Sequence, residues 1–473
     1  MSRSRSPVRA APVRTALALS LAAVMVSGCA GLRDTVSQAW PFSRDGDDTR
    51  AERPQDGRIP VLGNDALPAA DAALAATPVT VPEAREQADW PSAGGVLSNA
   101  PQNLVGPATL AVSFRRQVGA GAGRYGAMIA PPVVAGGLAY VLDAGLAVHA
   151  VRADTGRPVW RQPVAGGPRR IGGILGFGRS ERQGIGGGLA VDGGRVFAAT
   201  GLGQLVALDA ASGRELWRLE VDSPLHAAPL AANGRVFITS ASSELYAVDQ
   251  ATGTVQWTAS GIVEPARMLT APSPALVGDT LVAPFASGEL TASLVANGRR
   301  LWSEALTRQG AATSLSAISD IAGRPAVFDG LVYAASQAGL LAAIDLRTGT
   351  RIWDQPISSI QTPWVAGDFL YVVSTDGQVF CIERKQGGIK WIRELPRSFR
   401  QQFRTRRIAW TGPVMVGGRL ILGSSQGQVV ALSPLDGSTV AERSVGAALF
   451  IPPAVAGGTV YFYSNDADLI ALR

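Results

Sequence analysis

Short alternations of apolar and polar residues fill the chain after residue 108. In Val191–Ala198 and in Ala231–Ile238, a two-residue turn separates an apolar stretch from an alternating one. Two-residue turns between such stretches predict β-hairpins. The second residue of this turn recurs eight times along the chain, at Gly137, Gly194, Gly234, Asp279, Gly330, Asp368, Gly418 and Gly458. The pattern therefore predicts eight hairpins.

A second hairpin follows each of the first seven and carries an aromatic position in its last strand. Four residues before that position stands a glycine, which suits a tight turn with positive φ: Gly156, Gly213, Gly253, Gly298, Gly349, Gly387 and Gly437. The aromatic position is filled by Trp160, Trp217, Trp257, Trp302, Trp353 and Trp391, and by Ala441 in the seventh repeat. It lies 23 residues after the first turn in all seven repeats. Each repeat is therefore a unit of four strands, a to d.

The eighth repeat ends at Arg473, after its third strand. Leu110–Val118 resembles the tryptophan-bearing strands, with Phe114 at the aromatic position, and can supply the missing strand. An open array of such units would expose strand edges at both ends, and closing the ring removes them. We therefore predict an all-β fold: an eight-bladed β-propeller with four-stranded blades, closed by an N-terminal strand that completes the last blade.

The repeat also predicts which loops share a face. With strand a innermost, the a–b and c–d turns lie on one face, and the b–c turns and d–a connections lie on the other. All length variation falls in the d–a connections, of which four are long: 161–189, 258–274, 303–325 and 392–412. Loops on a regular scaffold commonly carry function, so we expect the second face to be the functional one.

The N-terminus has the features of an export signal. Four arginines precede the apolar run Ala16–Val26, which is too short to span a bilayer. The sequence Val26-Ser27-Gly28-Cys29 resembles a bacterial lipobox, which implies a signal peptide at 1–28 and lipidation of Cys29. In that resemblance, Ala30 implies sorting to the outer membrane. The alternative is an incidental cysteine behind an ordinary signal peptide.

Composition divides the remaining chain into two parts. Residues 30–89 hold six arginines against eleven acids without sustained periodicity, so we expect 29–89 to be a flexible acidic tether and 90–473 to be the propeller. The whole chain has a formal charge of +6, and four arginines belong to the signal, so nucleic-acid binding is not expected. Two cysteines and two histidines leave no disulfide framework and little for a metal centre.

The Asp/Glu-x-x-x-Gly-x-x-x-Trp frame resembles the PQQ-like repeat, whose tryptophans dock between adjacent blades. The resemblance covers residues 108–473 and implies this structural role for the six tryptophans and for Phe114. One class with this fold is the periplasmic oxidoreductase that holds pyrroloquinoline quinone and Ca²⁺ on the propeller axis. Such enzymes carry an adjacent cysteine pair, which this sequence lacks, and no acidic cluster here has calcium-loop spacing. We therefore expect no enzyme activity and no cofactor.

The second class is the lipoprotein family of outer-membrane protein assembly factors, BamB. The lipobox, the eight repeats and the end of the chain in a third strand resemble this family together. The resemblance implies a scaffold in the β-barrel assembly (BAM) complex, held at the periplasmic face of the outer membrane by its lipid. It implies contacts with the periplasmic POTRA domains of BamA, with other BAM components and with unfolded outer-membrane clients.

Two positions carry a local likeness to that family. Arg267 falls where the family has an arginine that contacts BamA, and Asp320 matches the first acid of a family segment. The densest charged run is a further candidate for an electrostatic contact: Arg397, Arg400, Arg404, Arg406 and Arg407. The alternatives are a solvated loop for this run and, for the whole protein, a propeller that binds peptidoglycan or client strands at its exposed edges.

Overall fold

The computed structural model describes residues 68–123, 126–165, 186–264, 268, 270, 272–307, 318–401 and 404–473. The chain divides into the units Met1–Gly63 and Asn64–Arg473, and all described residues belong to the second. These residues form 34 β-strands and one short 3-10 helix, Ala72–Leu74. No helix among them is long and apolar enough to cross a membrane.

Eight four-stranded antiparallel sheets form the blades in chain order. Strand β1 is Val112–Gln117. Blade 1 contains β2 (Val133–Ala135), β3 (Leu138–Leu142), β4 (Ala147–Arg152) and β5 (Pro158–Pro163). Blade 2 contains β6 (Gly186–Asp192), β7 (Arg195–Thr200), β8 (Gln204–Asp209) and β9 (Glu215–Glu220). Blade 3 contains β10 (Leu230–Ala232), β11 (Arg235–Thr239), β12 (Glu244–Asp249) and β13 (Val255–Ser260).

The second half repeats the arrangement and adds one hairpin. Blade 4 contains β14 (Ala275–Val277), β15 (Thr280–Pro284), β16 (Glu289–Leu294) and β17 (Arg300–Ala305). Blade 5 contains β18 (Ala326–Phe328), β19 (Leu331–Ala335), β20 (Leu341–Asp345) and β21 (Arg351–Gln355). Blade 6 contains β22 (Trp364–Ala366), β23 (Phe369–Val373), β24 (Gln378–Glu383) and β25 (Ile389–Glu394). The additional hairpin is β26 (Ser398–Gln401) with β27 (Arg404–Arg407).

The last two blades close the ring. Blade 7 contains β28 (Trp410–Val416), β29 (Arg419–Ser424), β30 (Gln428–Leu432) and β31 (Thr439–Ser444). Blade 8 contains β32 (Ala454–Ala456), β33 (Thr459–Tyr463) and β34 (Asp468–Leu472), and β1 pairs with β34 as its fourth strand. The predicted eight-bladed propeller, closed by the N-terminal strand, is confirmed.

Neighbouring blades meet through the repeated tryptophan and glycine. Trp257 of blade 3 covers Gly298 in the c–d turn of blade 4, where a Cβ would lie 2.5 Å from the indole. Its Nε1 donates a 2.9 Å hydrogen bond to the Val295 carbonyl of the same turn. The same indole-to-carbonyl bond, 2.8–3.0 Å long, is made by Trp160, Trp217, Trp302, Trp353 and Trp391. Each of these blades is thereby held to the next by both packing and a directed bond.

The seam between blades 8 and 1 uses different atoms. Phe114 packs over Gly156 of blade 1, but a phenyl ring has no donor for the carbonyl three residues earlier. That carbonyl, Ala153 O, accepts a 2.9 Å bond from the Tyr461 hydroxyl of blade 8 instead. The closing seam therefore keeps the same acceptor and takes its donor from strand b.

Residues 85–105, here called the axial loop, run once around the propeller axis. Its backbone or side chains bond to the inner strands or a–b turns of blades 8, 1, 2, 4, 5, 6 and 7, through Gln87, Trp90, Pro91, Leu97, Ser98, Gln102 and Leu104. Ala93 packs on Ala228 beside blade 3. The loop closes on itself where the Val105 N–H donates to Arg85 O at 2.9 Å. It covers the axis at the face of the a–b and c–d turns.

The chain before the axial loop also contacts the propeller. Asp71 N–H donates to Ile389 O at 2.7 Å, and Lys390 Nζ donates to Ala75 O at 2.6 Å. The Asn103 amide donates to Pro82 O at 2.8 Å. A flexible tether was expected as far as residue 89, whereas the segment from Asp71 onward lies on blade 6 and then enters the axial loop. The segment is ordered because it forms hydrogen bonds with an edge-strand carbonyl, Ile389 O, and with the Lys390 ammonium of blade 6.

The seam predicts a large penalty for a methyl group at Gly298. Gly298→Ala places an L-residue at φ +72° and drives Cβ into Trp257. We expect a loss of about 1–2 kcal/mol for the backbone conformation and about 1–3 kcal/mol more for the overlap. Denaturant unfolding of the purified variant measures the sum.

Gly234→Ala is the matched control for this variant. Gly234 has φ +73°, and an added Cβ would meet no atom within 4 Å. It should therefore lose only the conformational part. Equal losses in the two variants would contradict the role given to the tryptophan contact.

Candidate partner-binding face and axial cavity

The face formed by the b–c turns and d–a connections, here called the connection face, carries the long loops. It lies opposite the axial loop because successive strands within each blade are antiparallel. The described parts of these loops include Met268, Thr270, Ile318–Pro325 and the hairpin β26–β27. Arg267 lies outside the described residues, and so does Cys29.

The arginine-rich segment forms a hairpin between blades 6 and 7. Ser398 pairs with Arg407, Phe399 with Arg406, Arg400 with Thr405, and Gln401 with Arg404. The sequence does not predict this hairpin, because its arginines alternate with phenylalanine and glutamine and form no clear apolar face. The hairpin brings four of the five candidate arginines onto one short, two-stranded element, with Arg397 immediately before it.

The charges of this hairpin are only partly neutralised. Arg397 bonds to Glu394 at 2.9 Å, and Arg407 bonds to Asp376 at 2.8 Å. Arg400 and Arg406 are exposed and form no ion pair with a described residue. Exposed ion pairs contribute little to stability, so these side chains are available for an electrostatic contact at little cost to the fold.

Asp320 lies beneath the connection face and not on its surface. Asp320 is only 5% exposed, and its Oδ2 accepts a 2.7 Å hydrogen bond from the Met268 N–H. Its carbonyl accepts a 3.0 Å bond from Gln337 N–H. Asp320 therefore couples the blade 4–5 connection to the blade 3–4 connection, next to the sequence position of Arg267.

His149 joins a similar structural contact in blade 1. Its Nε2 lies 2.9 Å from Asp143 Oδ2, and Asp143 also accepts bonds from Ala120 N–H and Ala147 N–H. Burial raises the pKa of Asp143, but the bonds from His149 and the two amides outweigh it and hold that pKa below its ordinary value. The pair fastens the chain after β1 to blade 1.

An axial cavity opens on the connection face. Its volume is about 150 Å³, and Arg324 lies at its inner end, where a smaller cavity continues to Trp90 and Asn99 of the axial loop. The sequence does not mark Arg324 as a site residue, since a lone arginine in a loop is ordinarily exposed. Among the described residues, no three His, Cys, Asp or Glu side chains gather in a way that could hold a metal ion.

Comparison with known proteins agrees with this architecture. A family model described as outer membrane protein assembly factor BamB matches residues 147–393 and 399–473. The outer membrane protein assembly factor BamB of Salmonella typhimurium is 30% identical over 342 residues, 72% of this chain and 83% of that protein.

Two solved structures are similar in fold. The crystal structure of BamB from Moraxella catarrhalis matches with a TM-score of 0.59 at 22% identity, covering 76% of this chain and 98% of that one. A europium-containing methanol dehydrogenase matches with a TM-score of 0.62 at 15% identity, covering 80% and 89%. The fold is thus common to assembly factors and dehydrogenases, and the family model distinguishes between them. The chain belongs to the outer membrane protein assembly factor BamB family.

Proposed function

We propose that this protein is a non-catalytic scaffold of the BAM complex that promotes the folding and insertion of outer-membrane proteins. The observation that carries the proposal is the family match over residues 147–393 and 399–473, which spans seven of the eight first turns and most of the described part of the connection face. The relatives that share this match are named assembly factors.

A quinone-dependent oxidoreductase is the alternative function for this fold, and it has less support. The methanol dehydrogenase is 15% identical, so that likeness concerns the fold alone. On the axis of this chain, the cavity of about 150 Å³ is half the volume at which ordinary cofactor pockets begin, about 300 Å³. The axial loop occupies the other side of the axis with residues of the chain itself.

The anchor we propose is a lipid on Cys29. Residues 1–28 would be removed as a signal peptide, and the chain from Cys29 would lead to the propeller at blade 6, where Asp71 bonds to Ile389. Several acyl chains on one cysteine hold a protein stably at a membrane, whereas one chain binds only marginally. The propeller would then act at the periplasmic face of the outer membrane.

The connection face is the docking surface we propose for the POTRA domains of BamA. The hairpin β26–β27 offers two exposed arginines, Arg400 and Arg406, that pair with no described acid. Asp320 fixes the backbone at Met268, next to Arg267 in the sequence. Such a surface suits a partner with acidic groups, because complementary charge accelerates association and suppresses wrong partners. These arginines take no part in the tryptophan–glycine contacts that hold the blades together.

Loss of the proposed lipid site should release the protein from the membrane. In Cys29→Ser cells, we expect the protein to move from the membrane fraction to the soluble fraction, because no thioether can form to hold the acyl chains. Fractionation with mass spectrometry of the N-terminal peptide measures this. Cys381→Ser is the control, since Cys381 is a buried free thiol and should leave anchoring unchanged. Full membrane retention of the Cys29 variant would contradict the anchor.

Charge reversal on the hairpin should weaken partner capture. For Arg400→Glu with Arg406→Glu, we expect binding to purified BamA POTRA domains to fall about tenfold or more at low salt, with a smaller difference at high salt. The blades should keep their unfolding midpoint, because neither arginine makes an ion pair with a described residue. Surface plasmon resonance at two ionic strengths measures the loss.

The matched control reverses two arginines on the opposite face. Arg214 and Arg347 lie exposed in c–d turns, so Arg214→Glu with Arg347→Glu changes the net charge by the same amount. Equal weakening by both pairs would mean that only overall charge matters, and the docking surface would then be rejected.

Removal of the Asp320 carboxylate should loosen the neighbouring connection. In Asp320→Ala, the Met268 amide loses its 2.7 Å acceptor, so we expect its hydrogen exchange to accelerate and binding to BamA to weaken. Asp222→Ala, an exposed acid in the blade 2–3 connection, is the control. Faster exchange at Met268 with unchanged binding would remove this connection from the docking surface.

A further inference from the structure

Arg324 is a buried guanidinium without a bonding partner in the part of the chain that the structure describes. It is 8% exposed, its Nε is buried without a hydrogen bond, and its side chain forms no hydrogen bond or ion pair with a described residue. Burial lowers its pKa to about 10, so it still carries its charge at neutral pH. A buried unpaired charge is costly, and proteins ordinarily pair it.

Arg384 shows how this chain treats a buried arginine elsewhere. It is 4% exposed, its Nη2 bonds to Asp329 at 2.8 Å, and its Nε bonds to the Gly367 carbonyl at 2.9 Å. Arg384 keeps one buried donor, Nη1, without a partner, but its charge is paired, whereas no described residue pairs with the charge of Arg324 in the axial cavity. A group that binds from outside would satisfy such a donor.

The cavity around Arg324 offers a second polar group and an apolar mouth. Gln361 lines it, and the Oε1 of this residue accepts weak bonds from Thr411 and Gly412, whereas its amide nitrogen donates to no described residue. Toward the connection face the walls are apolar, with Met128 buried and Phe450 48% exposed. The cavity therefore combines cationic and amide donors at its inner end with apolar surface at its opening.

We propose that the axial cavity binds a carboxylate that carries a small apolar group, with the guanidinium of Arg324 on the carboxylate and the mouth around the apolar part. A guanidinium presents a fork of donors that matches a carboxylate. A cavity of about 150 Å³ holds a benzene-sized body, which limits the apolar group to about six carbons. Free organic acids and peptide C-termini share this chemistry.

The test uses the full chain in mild detergent and does not involve BamA, so its outcome is independent of the proposed scaffold function. Isothermal titration calorimetry compares hexanoate with hexanamide at constant ionic strength. We expect hexanoate to bind and hexanamide not to bind, because only the carboxylate pairs with the cation. Arg324→Met should abolish hexanoate binding, and Arg324→Lys should weaken it about tenfold, because lysine loses the planar fork.

Two further variants separate a binding site from a structural role. Arg324→Met should raise the thermal unfolding midpoint in the absence of ligand, because it removes an unpaired buried charge. Phe450→Ser should weaken hexanoate without lowering that midpoint, since Phe450 is half exposed. A lower midpoint in Arg324→Met, together with unchanged hexanoate binding, would overturn the proposal.

The source of the carboxylate follows from a second pair of probes. The tripeptide Gly-Gly-Leu with a free C-terminus is compared with its amide. Tighter binding of the free peptide than of hexanoate supports a chain terminus, and exclusion of the peptide with retained hexanoate supports a small free acid. No heat of binding for either carboxylate, or equal binding of the carboxylates and their amides, would refute the site.

Discussion

The contact between one indole and the next blade's glycine turn is the interaction on which the rest of the propeller depends. It requires a glycine with positive φ under the ring and a free carbonyl three residues earlier. Blade 8 has no c–d turn, because its fourth strand is β1, which comes from the chain before blade 1. A tryptophan in blade 7 would therefore have no turn to cover, which explains Ala441 at that position.

Because of these seams, the loops on the two faces of the propeller differ in how far their length and charge can vary. The a–b and c–d turns are fixed by the docking of each blade and by the axial loop, which bonds to seven blades in order. The d–a connections contribute neither to the docking of one blade on the next nor to the contacts with the axial loop, except where they enter the inner strands. Length and charge can vary there without disturbing the ring, and the hairpin β26–β27 is one outcome.

Three buried charged residues, Asp320, Arg384 and Arg324, differ in how their charges are paired. Asp320 uses its carboxylate to hold the backbone of a neighbouring connection, so its contribution to docking would be to position another residue. Arg384 bonds through Nη2 to a carboxylate of the neighbouring blade and through Nε to a carbonyl of its own blade, and only its Nη1 is buried without a partner among the described residues. Arg324 differs from both, since the fold brings it to the axis and no described residue supplies a counter-charge there.

The sequence by itself determined the eight blades, their order and the strand that closes them, because turn chemistry and strand alternation are local and repeat at fixed spacing. It did not determine the axial loop, whose partners are backbone groups spread over seven blades from Val134 to Gly457. Nor did it indicate that the arginine run is a hairpin or that Asp320 and Arg324 are buried. Those properties arise from packing between distant segments around a shared axis, and only the tertiary structure decides which side chains that packing encloses.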